Sequence, residues 1–295
     1  MKALFEFHAV RTSDAITLEG VLAEPGRRTK TIVVWVHGLT ASFYSRSERL
    51  ATLASTCNRN GIAFASFNNR GHDIATSFNR GKGKKSLIAG GALERFPDCV
   101  KDLAVVIGFL HRKKYERIYL VGHSTGANKV SYYMARTRDP RVKGVALAGP
   151  MSDAAIEKDR LGKSFASHLR QVASYAQSHN QDWPLPERLS KRILSARRYL
   201  SLHTPEGAED IFPYHVHHAS WPTLKKVRPP LAVVIGQRDQ YLGHWRAEKL
   251  IDVFRKNATG ARRFRGIVIP RADHSFTKTG KELARVIVRW VRENR

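Results

Sequence analysis

A serine, an aspartate and a histidine in this sequence each follow a segment with the composition of a buried β-strand. Ser124 lies at the centre of Gly122-His-Ser-Thr-Gly126, Asp239 follows a later segment of this kind, and His274 follows the last one. A serine hydroxyl becomes a useful nucleophile when a histidine accepts its proton and a carboxylate orients the imidazole. We therefore predict that Ser124, Asp239 and His274 form a catalytic triad.

The residues around Ser124 predict a sharp turn between a strand and a helix. The strand beginning at Arg117 leads into the turn, and a helical stretch from Ala127 to Arg136 follows directly. Such a turn strains the serine backbone and requires small neighbours, which Gly122 and Gly126 provide because they lack a Cβ atom. The N-terminus of the following helix would favour a developing oxyanion. This context supports a nucleophilic role for Ser124.

Stabilising such an oxyanion requires backbone N–H groups near the nucleophile. The residue after the nucleophile, Thr125, supplies one, and the strand ending in Val36-His-Gly-Leu39 makes Leu39 the predicted second donor. His37 is then expected to orient this loop rather than act as a base. In Asn68-Asn-Arg-Gly-His-Asp73, Arg70 and His72 are expected to hold loops in place.

Other titratable residues offer weaker alternatives. Asp273 is adjacent to His274 in sequence, and neighbouring side chains are poorly placed for a linear acid–imidazole contact, so Asp239 is preferred. Three histidines lie close together at His215, His217 and His218, but carboxylates at metal-ligand spacing are missing nearby. We expect neither a metal nor another cofactor.

Strands and helices that could position these residues alternate along most of the chain. The predicted strands are Leu4–Val10, Ala15–Ala23, Thr31–His37, Ile62–Phe67, the segment from Arg117 into the Ser124 turn, Val142–Ala148, Leu231–Gly236 and Gly266–Pro270. The other predicted helices are Ser47–Asn60, one from Pro97 to about His111, Arg246–Lys256 and Lys281–Glu293. This alternation predicts an α/β fold, with a mostly parallel sheet covered by helices on both faces.

The stretch from about Met151 to Arg228 interrupts the alternation. It has helical patterns around Ala154–Ser178 and Glu187–Leu200, separated by Trp183-Pro-Leu-Pro186. Because it leaves and rejoins the chain near strand ends, we predict a helical cap over the carboxyl edge of the sheet, where open α/β sheets bind ligands. Residues 1–150 and 229–295 would then form the core domain, and residues 151–228 the cap. A peripheral helical pair unrelated to substrate is the alternative.

The composition favours a soluble protein with a basic surface. The 295 residues include 51 Lys and Arg against 25 Asp and Glu, a formal charge of +26. The basic residues are scattered, which favours a solvated basic surface over a specific nucleic-acid site. Cys57 and Cys99 lack metal or redox spacing and are expected to be buried thiols. The chain has no apolar run of membrane-spanning length, so we expect a cytoplasmic protein of unspecified oligomeric state.

Taken together, these motifs resemble the α/β-hydrolase superfamily over essentially the whole chain. The matching residues are His37-Gly38, Arg70-Gly-His72, Gly122-His-Ser-Thr-Gly126, Asp239 and His274. The resemblance implies a sheet of about eight strands, with one antiparallel strand near the start, and the triad named above. A further likeness to fungal siderophore-ester (fusarinine) hydrolases rests on the Ser124 motif, Pro150-Met-Ser-Asp153, Arg198-Tyr-Leu-Ser-Leu202 and Glu209-Asp-Ile-Phe212. The Asn68-Asn69 pair departs from the aspartate often found before Arg-Gly-His in relatives.

The predicted function is serine-dependent hydrolysis of small-molecule carboxylic esters, and the basic charge leaves an anionic substrate open. Thioesterase, lactonase, peptidase and perhydrolase activities would use the same triad. Haloalkane dehalogenase and epoxide hydrolase activities are disfavoured, because those relatives have a carboxylate at the position of Ser124. A non-catalytic basic scaffold that binds an anionic partner is the alternative from another class.

Overall fold

A single eight-stranded sheet organises the computed structural model, which describes residues 3–295. The strands among the described residues are β1 Glu6–Arg11, β2 Thr17–Ala23, β3 Thr31–Val36, β4 Ala63–Phe67, β5 Thr76–Phe78, β6 Leu87–Ala89, β7 Arg117–His123, β8 Val142–Ala148, β9 Leu231–Gly236 and β10 Phe264–Ile269. All of them except β5 and β6 belong to this sheet. The sheet order is β1-β2-β4-β3-β7-β8-β9-β10. β2 runs antiparallel to β1 and β4, and the remaining neighbours are parallel, which confirms the predicted mostly parallel sheet.

Helices cover both faces of this sheet, as predicted. They are α1 Ser47–Arg59, α2 Cys99–Arg112, α3 Thr125–Thr137, α4 Asp153–Leu161, α5 Phe165–Ser178, α6 Ala196–His203, α7 Ala247–Asn257 and α8 Gly280–Glu293. Helices α1 and α8 pack together over one face, and α2, α3 and α7 contribute to the apolar core on the other. No helix within residues 3–295 is long and apolar enough to cross a bilayer.

Strand β3 shows why a continuous apolar run forms the middle of the sheet. Val33 and Trp35 belong to the core beneath α1 and α8. Ile32, Val34 and Val36 belong to the core beneath α2 and α3. A strand covered on both faces buries every side chain, so its sequence lacks polar alternation. Leu39, just beyond this strand, is thereby held at the carboxyl edge of the sheet.

The chain between β8 and β9 leaves the sheet and forms α4, α5 and α6. Its own apolar cluster contains Val172, Leu185, Leu189, Leu194, Ala196, Tyr199 and Leu202. The helical pattern predicted around Ala154–Ser178 is divided by Gly162, whose φ of 54° lies in the left-handed region. Leu39 from the sheet region packs against this cluster, so the segment contacts the loop after β3.

The helix predicted over Glu187–Leu200 is wrong in its first part. Helix α6 begins only at Ala196, where the Ser195 hydroxyl caps it by accepting the N–H of Arg198 at 3.1 Å. Before that, Ser190 Oγ accepts the N–H of Arg192 at 3.2 Å. A serine that bonds nearby backbone in this way offers the chain an alternative to the helix.

A small antiparallel ribbon formed by β5 and β6 lies outside the predicted elements. Both strands are short, and the lysine-rich connection between them has no apolar alternation. Cys57 and Cys99 are buried and unbonded to each other, as expected of structural thiols. The predicted core strands and helices otherwise occur with small shifts at their ends, which is normal for boundaries read from sequence.

Candidate active site

The turn at Ser124 has the strained geometry that its sequence predicts. Ser124 has φ 56° and ψ −129°, a conformation that costs about 1–3 kcal/mol for a residue with a side chain. A Cβ atom at Gly122 would lie 2.3 Å from the carbonyl oxygen of Gly126, and one at Gly126 would lie 2.2 Å from the carbonyl oxygen of Val36. Gly122 is therefore required for β7 to approach α3, and Gly126 for α3 to approach β3, and this packing places Ser124 at the tip of β7.

Asp239 and His274 meet at the same edge of the sheet. His274 Nδ1 lies 2.8 Å from Asp239 Oδ2, and both side chains are buried. Because the ionised carboxylate only accepts, Nδ1 carries the proton and Nε2 presents its lone pair. His274 Nε2 is buried without a hydrogen-bond partner. Gly149 allows this pair to pack closely, since a Cβ atom there would lie 3.2 Å from His274 Nδ1.

Ser124 and His274 line one cavity of about 270 Å³. In this structure, the Ser124 hydroxyl donates to Met151 Sδ at 3.3 Å rather than to the imidazole. Asp273, the alternative carboxylate, accepts the N–H of Thr277 at 2.8 Å and holds the loop instead. The structure thus brings Ser124, Asp239 and His274 together at one site and directs Asp273 away from the imidazole.

Leu39 and Thr125 lie at the same cavity as Ser124. Thr125 is the first residue of α3, so its N–H has no acceptor within the helix. His37 is buried, and its Nδ1 lies 2.9 Å from the carbonyl oxygen of Gly38 while its Nε2 accepts the N–H of Asn69 at 3.2 Å. The Gly38 carbonyl and the Leu39 N–H belong to one peptide unit, so His37 fixes the orientation of that N–H.

Burial explains why two nearby histidines stay neutral. Burial and the nearby Lys129 lower the pKa of His37 to about 3. The pKa of His123 is also well below its usual value, because its ring is buried and Arg49 is close. His123 Nε2 lies 2.9 Å from the carbonyl oxygen of His274, so the residue before Ser124 is tied to the loop that carries His274.

The cavity is also lined by charged residues that the sequence analysis did not identify. Arg46, Arg49 and Arg192 face Ser124 and His274 together with one carboxylate, Asp153. Burial raises the pKa of Asp153 to about 6, although Arg192 opposes this shift. The only advance signal was the spacing of Arg46 and Arg49, which places both arginines on one side of the first turn of α1.

The sequence analysis also did not predict a fully buried network of ion pairs behind the site. Glu94 accepts hydrogen bonds from Lys129 Nζ and Arg198 Nη2, each at 2.8 Å, and Arg198 Nη1 pairs with Glu209. Lys129 also donates to Asn69 Oδ1 at 2.7 Å. Lys129 belongs to α3 and Arg198 to α6, so the network joins the helix behind Ser124 to the segment between β8 and β9. Arg198 and Glu209 carry part of the likeness to siderophore-ester hydrolases, and here their contacts are structural.

Arg70, His72 and His215, which the sequence analysis named, make structural contacts away from Ser124. Arg70 lies 2.7 Å from Asp102 and 3.0 Å from Asp14, so it joins the loop after β4 to α2 and the β1–β2 turn. His72 contacts the carbonyl oxygen of Asn69 at 3.0 Å. His215 Nδ1 lies 3.2 Å from Ser152 Oγ, at the start of α4. Within residues 3–295, no group of three or more His, Cys, Asp or Glu side chains is arranged to hold a metal ion.

Comparisons with known proteins identify one family. The model of a family described as "Protein of unknown function (DUF1749)" matches residues 88–293, a range that includes Ser124, Asp239 and His274 but not Leu39. A search of curated proteins gave no match.

Several solved structures share the fold. Siderophore hydrolase EstB from Aspergillus fumigatus is 19% identical with a TM-score of 0.67, over 94% of this chain and 95% of EstB. Est1E from Butyrivibrio proteoclasticus, solved with ferulic acid, is 18% identical with a TM-score of 0.65, over 97% of this chain and 98% of Est1E. Esterase Pf2001 from Pyrococcus furiosus is 17% identical with a TM-score of 0.63, over 99% of this chain and 90% of Pf2001. The chain has the α/β-hydrolase fold and belongs to the family described as protein of unknown function DUF1749.

Proposed function

We propose that this protein is a serine hydrolase that cleaves carboxylic esters through an acyl-enzyme. The observation that carries the proposal is the 2.8 Å contact between His274 and Asp239 beside the cavity that also contains Ser124. The imidazole is held in the tautomer that leaves Nε2 free to accept a proton. These are the requirements for activating a serine hydroxyl.

The reaction would begin with a change of the Ser124 rotamer from Met151 toward His274. Catalytic hydrogen bonds are often incomplete before substrate binds, so the thioether contact is compatible with this role. His274 would take the hydroxyl proton as Ser124 attacks the acyl carbon, and Asp239 would stabilise the resulting imidazolium. The same proton would then be donated to the departing alcohol. Water activated by His274 would release the acid and regenerate Ser124.

The amides of Leu39 and Thr125 would stabilise the tetrahedral oxyanion. The Thr125 N–H lies in the first turn of α3, where the helix dipole favours negative charge. The Leu39 N–H would be oriented through His37, which holds the carbonyl of the same peptide unit. In other enzymes, removing a single donor of this kind lowers kcat by about 10²–10³-fold. The donors are backbone groups, so side-chain identity at Leu39 matters less than the loop path.

We also propose that residues 151–228 act as a cap on a core formed by residues 1–150 and 229–295. The segment has its own apolar cluster and packs on Leu39. It also supplies Met151, Asp153 and Arg192 to the cavity wall. A segment that both covers and lines the cavity would decide which acyl and alcohol groups fit. The esterase and hydrolase names of Pf2001 and EstB agree with the proposed reaction class.

Labelling with a fluorophosphonate probe tests the proposal. Wild-type protein should be labelled on Ser124, and Ser124→Ala should lose labelling and at least about 10³-fold of kcat toward 4-nitrophenyl butanoate. Ser275→Ala is the matched control, because Ser275 lines the same cavity but is no part of the triad. It should be labelled like the wild type. Folded wild-type protein that neither reacts with the probe nor turns over esters would refute the proposed function.

A further inference from the structure

We propose that Arg46 and Arg49 form a subsite for a negatively charged group, so that the preferred substrates are esters that also carry a carboxylate. This inference rests on the proposed ester hydrolysis and names its substrate class. Both arginines line the cavity that contains Ser124 and His274. An anion bound there would lie within the same enclosure as the ester bond.

Arg49 is a buried cation without a close anionic partner. Arg49 is only 7% exposed. None of the ion pairs among residues 3–295 includes it. One nitrogen donates to the carbonyl oxygen of Ser275 at 2.5 Å, whereas Nε is buried without any partner. The guanidinium lies over the Trp35 ring at 4.8 Å. A buried guanidinium with unused donors next to a cavity is suited to binding an anion.

Arg46 adds a second positive charge at the same point. It is the N-cap residue of α1, with φ 54°, and its side chain makes no capping hydrogen bond. Helix N-termini carry a partial positive charge and usually have uncharged or acidic capping residues. Here Arg46 and Arg49 add to the helix dipole instead. This arrangement disfavours the empty state electrostatically and favours an anion.

No ion pair among the described residues joins a carboxylate to Arg46 or Arg49, and Asp273 interacts with both only at longer range. Asp153 lies across the cavity with Arg192, whose Nη1 is 3.9 Å from Asp153 Oδ1. Asp273 raises the pKa of Arg49, but burial and the neighbouring Arg46 lower it to about 10, so Arg49 stays charged at neutral pH. His123, which also faces Arg49, is neutral. The cavity therefore retains positive charge beside Ser124.

A purely structural role for Arg49 would be satisfied by Trp35 and the Ser275 carbonyl. That role does not explain the exposed Arg46 at the same helix end. A carboxylate fits the pair because guanidinium groups bind it through directed, charge-assisted hydrogen bonds. The carboxylate could belong to the acyl chain or to the alcohol, and these two arrangements require separate substrates.

Two matched ester pairs test the inference. The acyl pair is 4-nitrophenyl hydrogen adipate and its methyl ester, and the alcohol pair is 4-butanoyloxybenzoate and its methyl ester. In the wild type, kcat/KM should be roughly tenfold or more higher for the acid than for the methyl ester in at least one pair, as expected for a charged hydrogen bond. The pair that shows the preference identifies the side on which the carboxylate lies.

The variants Arg46→Gln and Arg49→Gln should each reduce this acid-to-ester ratio at least about fivefold. Arg46 is exposed, so its variant should fold even if Arg49→Gln does not. Arg59→Gln is the matched control, because it removes the same charge from the opposite end of the same helix. It should leave the ratio unchanged. An equal loss with Arg59→Gln would assign the effect to overall charge and overturn the subsite.

Failure of the subsite differs from failure of the proposed function. If the methyl esters are hydrolysed but the acids show no preference, the subsite is refuted and the hydrolase remains. If no ester is hydrolysed and Ser124 is not labelled, the subsite is tested by measuring the binding of adipate calorimetrically, which requires no catalytic activity. Ser124→Ala should bind adipate, and adding Arg46→Gln should weaken that binding at least about fivefold. No adipate binding would overturn the inference.

Discussion

Replacing Glu94 by glutamine should destabilise the protein by about 3–5 kcal/mol, the usual effect of removing one partner from a buried ion pair. Glu94 accepts hydrogen bonds from Lys129 and Arg198 at 2.8 Å each, and all these side chains are essentially inaccessible to solvent. With Glu209 included, two cations face two anions. Glu94→Gln removes one anion and replaces its two acceptor oxygens by one neutral amide oxygen and an NH2 donor, so Lys129 and Arg198 both lose a charged partner and one of them also faces a donor.

Thermal unfolding followed by tryptophan fluorescence measures the effect. The Tm should fall by roughly 10 °C, given about 2–4 °C per kcal/mol for a chain of this size class. Glu116→Gln is the matched control, since Glu116 pairs with Lys30 at 2.7 Å on the exposed surface. That change should leave the Tm almost unaffected, because water already solvates both partners.

A second variant tests whether unbalanced charge causes the loss. Adding Lys129→Met to Glu94→Gln removes the cation that the first change leaves unpaired, so part of the stability should return. The two changes should then be less destabilising together than the sum of their separate effects. The reasoning is refuted if Glu94→Gln lowers the Tm no more than Glu116→Gln, or if the double variant shows simple additivity.

Two further predictions concern backbone space and acid stability. Gly126→Ala should lower the free energy of unfolding by about 3 kcal/mol or more and abolish fluorophosphonate labelling, because the new Cβ would lie 2.2 Å from the Val36 carbonyl oxygen. Gly26→Ala is the control and should behave as wild type, because a Cβ atom there has no neighbour within 4 Å. Buried neutral histidines bind fewer protons than in the unfolded chain, so their contribution is complete above about pH 6.5 and declines as the pH falls. Burial lowers the pKa of His203 to about 4. His203→Gln should therefore reduce the pH dependence of the unfolding free energy by about 1.1 kcal/mol per pH unit between about pH 6 and 4.5. An unchanged slope in urea titrations would contradict this account.

The placement of Ser124, Asp239 and His274 at one sheet edge could be predicted because the sheet is mostly parallel. Leu231–Gly236 is recognisable as a buried strand from its continuous apolar residues, and Asp239 follows it. The carboxyl ends of such strands meet at one edge, so chain order alone brings Asp239 and His274 to the Ser124 turn. Gly122 and Gly126 marked the turn through a steric requirement that is local in sequence.

The ion network could not be predicted because its members are far apart in sequence and have no shared period. Glu94 lies before α2, Lys129 within α3 and Arg198 within α6. Each looks like an ordinary surface charge until the segment between β8 and β9 folds back and excludes water. The direction of Arg49 was hidden for a similar reason, since it depends on how α1 packs over Trp35. Local spacing identifies a helix side but does not say what lies opposite.

The buried pairing of Arg198 with Glu94 and Glu209 has a consequence for the mobility of the segment between β8 and β9. Moving α6 away from α3 would break these buried ion pairs and leave their charges unpaired. Such a movement is therefore energetically costly. We therefore expect the segment between β8 and β9 to stay in place, so that Met151, Asp153 and Arg192 keep their positions around the cavity of about 270 Å³. Under the proposed function, discrimination would then work as size exclusion by a fixed compartment, and we expect esters too bulky for it to be rejected at entry rather than accommodated slowly.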